Sequence, residues 1–233
     1  MKGKVKLAIM QPYFVPYIGY WQLINAVDMF VIYDDVAYIN RGYINRNYFL
    51  VNNEKKMLSI SLSGASQNKL IKDITICDDF TKFMKTIQFS YVKAPFFSAV
   101  YALLEEIVSF EDRNLDRFIG NSIRKVCNYC EVETDIIFSS DVPKDTSLRA
   151  QAKIIDICQL CGAETYVNAI GGKELYDADG FKEHGMELRF IRPTAVPYRQ
   201  FGGEFFPWLS IVDVLMFNDK TTIRDMLEAY TLE

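Results

Sequence analysis

Short apolar runs alternate with helix-patterned segments along most of the chain, and this alternation constrains its fold more than any other feature. The runs at 5–10, 28–33 and 134–139 have the length of buried strands. Segments such as 17–26 and 147–161 carry apolar residues three and four positions apart, as amphipathic helices do. Because strands separated by helices join through crossover connections, the pattern predicts an α/β fold: a mainly parallel sheet with helices on both faces and a Rossmann-like, nucleotide-binding core.

The middle of the chain is predicted to be a helical insertion into that sheet. Amphipathic segments at 79–91, 97–109 and 115–130 follow one another without a strand between them. We therefore expect one α/β domain over residues 1–233, with a mostly helical insertion at about 78–130. Further strands are predicted at 71–76, 165–170 and 187–191, a hairpin at 48–61, and helices at 178–184, 209–217 and 222–230.

Composition excludes several classes of protein. The 233 residues include 30 Asp and Glu against 26 Lys and Arg, for a net charge of −4. An acidic chain argues against nucleic acid as a partner, because neutralising phosphates requires clustered cations. A single histidine excludes a His-rich metal site. The chain lacks a run of ~20 apolar residues and a secretory signal, so we expect a cytoplasmic protein without a membrane span.

Two CxxC pairs raise the alternative of a zinc or redox site. Cys127 with Cys130 and Cys158 with Cys161 could supply four thiolates to one tetrahedral ion. Each pair also continues the apolar face of a predicted helix, and a buried thiol packs as a small apolar side chain. We favour core packing and predict no metal site from these cysteines.

The predicted topology nominates a ligand site before any motif is considered. In parallel α/β sheets, ligands bind beyond the carboxyl ends of the strands. The residues that follow the predicted strands there are 11–13, Asp34 with Asp35, 139–141, 168–173 and Arg192.

The segment 11–22 leaves the first strand through a loop with two prolines and enters a helix that contains Gly19. The prolines restrict the backbone, and the glycine allows close approach by another group. Amides at such a helix start can face a phosphate. The arrangement resembles the opening of nucleotidyltransferases and pantothenate-synthetase-like enzymes, except that Tyr17 and Tyr20 stand at their histidine positions. The absence of these histidines weakens a prediction of nucleotidyl transfer. Packing of the aromatic residues in the core is the alternative.

Two adjacent carboxylates, Asp34 and Asp35, end the second predicted strand. Neighbouring residues of a strand point to opposite faces, so the two cannot share one ion unless the strand has ended. One could bind Mg²⁺ or a sugar hydroxyl while the other caps the loop. Arg41 and Arg46 suit a phosphate or carboxylate. A solvated loop of charges is the alternative.

A glycine-containing loop follows the strand predicted at 165–170. Gly171 and Gly172 would let backbone amides approach a phosphate or carboxylate, and Lys173 adds positive charge. A plain tight turn is the alternative.

The segment 198–213 combines an aromatic loop with a helix start. Tyr198 and Gln200 suit contacts with a base or sugar, although a plug over the core is equally consistent. Ser210 and Asp213 have the spacing of a helix N-cap and its N3 residue. Capping is favoured over a catalytic serine, because no histidine lies nearby in the sequence.

Several segments, in order along most of the chain, resemble the WbqC-like family, a bacterial family associated with surface-polysaccharide and O-antigen gene clusters. The resemblance implies a transferase of lipopolysaccharide and O-antigen biosynthesis. It would act on a nucleotide-linked amino sugar by acyl or aminoacyl transfer. The matching segments are 11–20, 28–36, 45–47, 163–166, 171–176, 185–188, 198–201, 206–207 and 209–215.

The resemblance also implies a set of site residues. The candidates for catalysis are Asp34, Asp35, Tyr17 and Arg46. The candidates for substrate binding are Gln11, Tyr13, Asn47, Gly171, Gly172, Lys173, Tyr198, Gln200, Ser210 and Asp213. A sharper variant uses ATP with Mg²⁺ to form an adenylate before an amine captures the acyl group. The rival expectation is a non-catalytic protein that binds a nucleotide-sugar or assists assembly in a polysaccharide cluster.

Overall fold

The computed structural model describes residues 5–233, so the first four residues of the predicted domain lie outside the described part of the chain. The strands are β1 (Lys6–Met10), β2 (Met29–Ile32), β3 (Arg46–Val51), β4 (Glu54–Ser59), β5 (Leu62–Ser63), β6 (Thr75–Ile76), β7 (Asp135–Phe138), β8 (Thr165–Ala169), β9 (Glu187–Pro193) and β10 (Tyr230–Leu232). The α-helices are α1 (Ile18–Asn25), α2 (Thr81–Tyr91), α3 (Phe97–Val108), α4 (Leu115–Cys130), α5 (Ala150–Leu160), α6 (Ala178–Glu183), α7 (Ile211–Phe217) and α8 (Lys220–Glu228).

The central sheet has six strands in the order β10-β9-β8-β1-β2-β7. All neighbouring pairs are parallel except β10, which runs antiparallel to β9. The direction in which successive strands are added reverses between β1 and β8. The prediction of an α/β fold with a mainly parallel sheet is confirmed.

Helices cover both faces of this sheet because its central strands are apolar on both sides. Ala8 and Phe30 pack into the larger apolar cluster, together with residues of α1, α4 and α8. Leu7, Ile9 and Val31 point the other way and pack against α5 and α6. Such uniformly apolar strands are expected of a parallel sheet buried on both faces.

A long segment between β2 and β7 contains the strands outside the central sheet and three of the helices. It contains the β3–β4 hairpin, the short β5–β6 pair and helices α2, α3 and α4. The three helices occupy residues 81–130, as the amphipathic pattern predicts. Apolar residues of α2, α3 and α4 belong to the same buried cluster as α1, so the insertion packs on the sheet's own core.

Two local predictions are wrong. The predicted helix at 222–230 ends at Glu228, and residues 230–232 form β10 against the free edge of β9. The predicted strand at 71–76 begins as a 3₁₀ turn, and only Thr75–Ile76 pairs, with Leu62–Ser63. In both cases the backbone finds its hydrogen-bond partner in a distant segment, which local propensity does not encode.

The cysteine pairs lie in the core on opposite faces of the sheet. Cys127 and Cys130 belong to the larger apolar cluster, whereas Cys158 belongs to the smaller one. Burial raises the pKa of the Cys127 and Cys130 thiols to about 12. Core packing explains these residues, and the two pairs do not form one zinc site.

Within residues 5–233, none of the helices combines the length and the apolar composition that crossing a membrane requires.

Candidate functional site

An aromatic pocket of about 350 Å³ opens beyond the carboxyl ends of β1 and β9. Tyr13 and Tyr17 come from the loop after β1, and Pro193 is the last residue of β9. The hairpin β3–β4 and the loop before α7 form the other walls. The lining residues of this aromatic pocket are Tyr13, Tyr17, Tyr43, Asn47, Tyr48, Lys55, Pro193 and Trp208.

Backbone hydrogen bonds hold the three walls of the aromatic pocket together. The Ser210 amide donates to the Tyr48 carbonyl at 2.7 Å, and Ser210 also forms a β-bridge with Tyr17. These contacts bring Trp208 over Tyr17, with ring centroids 5.6 Å apart and planes at 79°. The edge-to-face geometry is a favourable arrangement for an aromatic pair.

Tyr13 and Tyr17 are neutral hydrogen-bonding groups of the aromatic pocket. Burial, with a contribution from Tyr17 and Tyr43, raises the pKa of Tyr13, and burial also raises the pKa of Tyr17. Their hydroxyls therefore stay protonated at neutral pH and can both donate and accept. Tyr43 is 46% exposed, so its hydroxyl and ring are accessible from solvent.

Lys55 is the charged residue of the lining. Its ammonium lies 4.4 Å from the centroid of the Tyr48 ring. The Asn47 side chain is occupied within the protein, because its amide donates to the Val15 carbonyl at 2.9 Å and its oxygen accepts from the Tyr48 amide at 2.8 Å. The pocket thus offers aromatic faces, phenolic hydroxyls and one cation.

Arg46 supports the wall of the aromatic pocket from behind. Its Nε donates to the Gly42 carbonyl at 2.8 Å, and Nη2 donates to the Arg41 carbonyl. These bonds close the loop that carries Tyr43. The structure therefore assigns Arg46 a role in loop geometry rather than a free guanidinium in the pocket.

Asp34 and Asp35 follow β2, which ends at Ile32, and they point to opposite sides of the sheet. Asp34 is fully buried and accepts a hydrogen bond from the Ser140 amide at 2.9 Å. Its Oδ2 has no hydrogen-bond partner among the described residues. Burial raises the pKa of Asp116, at the start of α4, and the charge of the nearby Asp34 adds to this shift.

Asp35 lies on the α5 side of the sheet, in a cluster with two lysines. Its Oδ2 is 2.9 Å from the Lys144 ammonium and 3.1 Å from the Lys153 ammonium. Its Oδ1 accepts from the Ser139 hydroxyl at 2.7 Å. Burial opposes ionisation of Asp35, but the bonds from Lys144, Ser139 and Lys153 outweigh it and lower its pKa. We call Asp35, Lys144 and Lys153 the lysine cluster.

These environments do not fit a protein-bound magnesium ion. The Asp35 carboxylate is already neutralised by two ammonium groups, and Asp34 points away from it. Within residues 5–233, no group of three or more His, Cys, Asp or Glu side chains is arranged to hold a metal. A magnesium ion bound by Asp34 or Asp35 would therefore lack the further oxygen ligands that it needs.

Tyr198, Gln200 and Asp213 form a buried network behind the aromatic pocket. Asp213 Oδ1 accepts from Tyr198 Oη at 2.6 Å and from Gln200 Nε2 at 2.8 Å, and its Oδ2 accepts from Tyr91 Oη at 2.8 Å. Burial raises the pKa of Asp213, and the three donors act against that shift. The network joins the loop 198–208 to α2 and α7.

Ser210 caps α7, as predicted, since its Oγ accepts from the Val212 amide at 3.3 Å. The same Oγ donates to the Val15 carbonyl at 2.7 Å. Asp213 occupies the N3 position but faces Tyr91 and Tyr198, so the reciprocal half of the predicted capping motif is wrong.

The remaining predicted residues lie away from the aromatic pocket's lining. Gly171 and Gly172 belong to a 3₁₀ helix over Ile170–Leu175, and Lys173 lies 3.6 Å from the Glu233 carboxylate. The main-chain oxygen of Gln11 accepts from the Tyr20 hydroxyl at 2.9 Å, which holds the loop after β1. Of the predicted site residues, the pocket unites Tyr13, Tyr17 and Asn47.

Several pocket residues are absent from the predicted set. Tyr43 and Tyr48 stand in a tyrosine-rich loop, and Trp208 ends the aromatic loop, so their composition was a usable signal. Lys55 follows a hairpin turn, where surface lysines are common, so the sequence gives no signal that it lines a pocket. Lys153 falls among buried positions of α5, and a charged residue at such a position does signal a buried partner.

Comparison with known proteins places these residues in a wider context. A sequence profile described as the WbqC-like protein family matches residues 11–225. The chain is also similar to a protein of Mycobacterium tuberculosis that bears the name uncharacterized protein Rv1507c. The two are 27% identical over 227 residues, which cover 95% of this chain and 97% of the other. No solved structure matches.

Proposed function

Because this chain belongs to the WbqC-like protein family, we propose that it is a sugar-modifying transferase of surface-polysaccharide (O-antigen) biosynthesis. Its substrate would be a nucleotide-linked amino sugar, modified by acyl or aminoacyl transfer. The observation that carries this proposal is the aromatic pocket beyond the ends of β1 and β9.

The chemistry of the aromatic pocket suits such a ligand. A base or sugar ring can stack on the faces of Tyr13, Tyr17 and Trp208, because aromatic side chains offer large apolar surfaces with polar edges. Phenolic hydroxyls can exchange hydrogen bonds with sugar hydroxyls. Lys55 can pair with a phosphate as a point charge. A cavity of about 350 Å³ is within the range of small-molecule sites.

The strand order of the sheet supports a nucleotide as part of the ligand. Numbered in chain order within the sheet, the strands run 3-2-1-4-5-6, which is the order of doubly wound dinucleotide-binding folds. In those folds, ligands bind outside the carboxyl ends of the strands where the order reverses. Here the reversal lies between β1 and β8, next to the loop that supplies Tyr13 and Tyr17.

Use of ATP is a further part of the proposal. A nucleoside triphosphate would bring Mg²⁺ on its own phosphates, so no resident magnesium site is needed. Release of AMP on incubation with ATP, candidate amino acids and an amino-sugar nucleotide tests this variant. Amide formation without AMP release would exclude it while leaving acyl transfer in place.

One observation favours the rival function of a non-catalytic nucleotide-sugar-binding protein. The lining of the aromatic pocket contains no carboxylate, thiol or histidine, so proton transfer there would fall to tyrosine or lysine. The two functions differ in outcome: both require nucleotide-sugar binding, but only the transferase yields a modified sugar.

A thermal-shift screen against nucleotides and nucleotide-sugars tests the binding step. A ligand at a hundredfold its Kd should raise the free energy of unfolding by about 2.7 kcal/mol. Trp208→Ala should weaken binding at least tenfold, and Lys55→Gln should weaken the binding of phosphate-bearing ligands.

Matched controls are Phe89→Ala, an aromatic residue that is 74% exposed on α2, and Lys56→Gln, the neighbour of Lys55. Both controls should bind as the unmodified protein does. Equal binding by Trp208→Ala and Phe89→Ala would contradict the proposal.

A further inference from the structure

The lysine cluster holds more positive than negative charge in a nearly buried position. The Lys144 and Lys153 side chains are 3% and 10% exposed, and the Asp35 side chain is 12% exposed. Both ammonium groups contact the same carboxylate oxygen. Buried charges are costly unless they are neutralised, so two ammonium groups against one carboxylate leave one positive charge without an anion.

Among residues 5–233, the remaining contacts of the two lysines do not supply that anion, because the exposed Asp141, which is near Lys144, is already paired with Arg117. Lys144 also donates to the Ser139 carbonyl, and Lys153 also donates to the Asp35 carbonyl at 3.2 Å. The Lys153 ammonium lies 4.9 Å from the centroid of the Tyr33 ring. Carbonyl oxygens and an aromatic face attract a cation but do not cancel its charge.

The start of α5 adds further positive potential to the same place. Arg149 is the N-cap of α5 and has no side-chain hydrogen bond to the helix amides. Its Nη1 donates to the Thr146 and Leu148 carbonyls, which leaves the other guanidinium nitrogens for an outside acceptor. Both Arg149 and Lys153 are near Tyr33: the Lys153 ammonium lies 4.9 Å from the centroid of its ring, and, although burial raises the pKa of Tyr33, the charge of Arg149 acts against that shift. The helix macrodipole also favours an anion at this end.

We propose that Arg149 and Lys153, at the start of α5, bind a phosphate group, and that this anion balances the second buried lysine of the cluster. The ligand would be a phosphate ester or a diphosphate. The site lies beyond the carboxyl ends of β2 and β7, where Asp35 and Ser139 leave the sheet. This inference does not depend on the proposed function, because it requires neither a sugar nor a transfer step.

At the start of α1, where the sequence predicts a phosphate, Gly19 packs closely against its neighbours. A Cβ added at Gly19 would lie 2.8 Å from Pro193 Cβ and 2.4 Å from the Tyr17 ring. The glycine is therefore used for packing of α1 against β9. The lysine cluster, in contrast, has a charge that needs a partner.

Calorimetry and thermal shift with pyrophosphate, at ionic strength matched with sodium chloride, test the site. The unmodified protein should bind pyrophosphate and melt at a higher temperature than in the chloride control. Arg149→Gln and Lys153→Gln should each weaken binding at least tenfold. Arg189→Gln, an exposed arginine of β9 paired with Glu187, is the matched control and should bind normally.

The variant Asp35→Asn distinguishes an anion-binding role of the lysine cluster from a purely structural one. It leaves two lysines without a carboxylate, so pyrophosphate should raise its melting temperature more than that of the unmodified protein. Should Asp35→Asn fail to fold, the binding of pyrophosphate by Arg149→Gln still tests the proposal, because Arg149 is exposed. Comparing pyrophosphate with ADP distinguishes a free inorganic anion from a nucleotide.

The proposal is overturned if pyrophosphate raises the melting temperature no more than chloride does. It is also overturned if Arg149→Gln and Lys153→Gln retain the affinity of the unmodified protein.

Discussion

Asp35, Asp116 and Asp213 have three different electrostatic environments. Asp35 faces two lysines, Asp213 faces three neutral donors, and Asp116 has one oxygen without a hydrogen-bond partner among the described residues. An aspartate is therefore held ionised at position 35, whereas the ionised form is disfavoured at positions 116 and 213. The difference comes from spatial neighbours that belong to distant parts of the chain.

Asp116 should make stability depend on pH. Burial, helped by the charge of Asp34, raises its pKa to about 6 in the folded protein, against 3.8 for an ordinary aspartate. The folded state thus binds this proton more tightly than the unfolded state does. Its contribution to stability is complete below about pH 4 and is lost as the pH rises through about 6.

Replacing Asp116 by Asn removes this titration. Relative to the unmodified protein, Asp116→Asn should therefore be more stable at about pH 8 than at about pH 4. Urea unfolding across this range measures the difference. Gln88→Ala, at an exposed position of α2, removes no titrating group and should show no such trend. An equal trend in both variants would contradict the assignment.

At the scale of elements, the start of α1 is shaped by a close contact with the end of β9. Gly19 faces Pro193 and the ring of Tyr17, and the last two also line the aromatic pocket. The helix can approach the strand only because residue 19 has no side chain. The contact between α1 and β9 therefore also positions Tyr17 and Pro193 in the wall of the aromatic pocket.

Gly19→Ala should lower the free energy of unfolding by about 1–3 kcal/mol, because a methyl group in this contact forces a backbone shift. It should also weaken ligand binding in the aromatic pocket. Gly171→Ala is the matched control, since nothing lies within 4 Å of an added Cβ there. Urea unfolding compares the two, and similar losses would show that the contact is not tight.

At the scale of the whole molecule, one apolar cluster joins the sheet to the helical insertion. Phe80 and Phe118 stack with centroids 5.0 Å apart, and Phe14 from the loop after β1 lies 6.1 Å from Phe118. Trp21 of α1 belongs to the same cluster and is 1% exposed. A core shared in this way should prevent the insertion from unfolding separately.

We therefore predict one cooperative unfolding transition. Far-UV circular dichroism and the fluorescence of Trp21 should give the same midpoint in urea, with Trp208→Phe used to remove the exposed second tryptophan. Phe118→Ala, in the insertion, should lower the free energy of unfolding by about 3–5 kcal/mol by both probes. Separate midpoints would instead indicate two folding units.

Much of the secondary structure could be predicted because it depends on local patterns. The apolar runs of β1, β2 and β7 and the amphipathic spacing of α2 to α4 act over a few residues. The edge strand β10 could not be predicted, because its only strong signal is the unpaired edge of β9.

The α/β class and the three helices between residues 81 and 130 follow from local patterns in the chain, and the strand ends beside β1 were the predicted place to search for a site. Which residues meet there depends on the folded structure. It joined Tyr13 and Tyr17 to Lys55 and Trp208, and it placed Asp35 between two lysines. Periodicity reports which face of an element is buried, whereas a site depends on contacts between residues that are far apart in the chain.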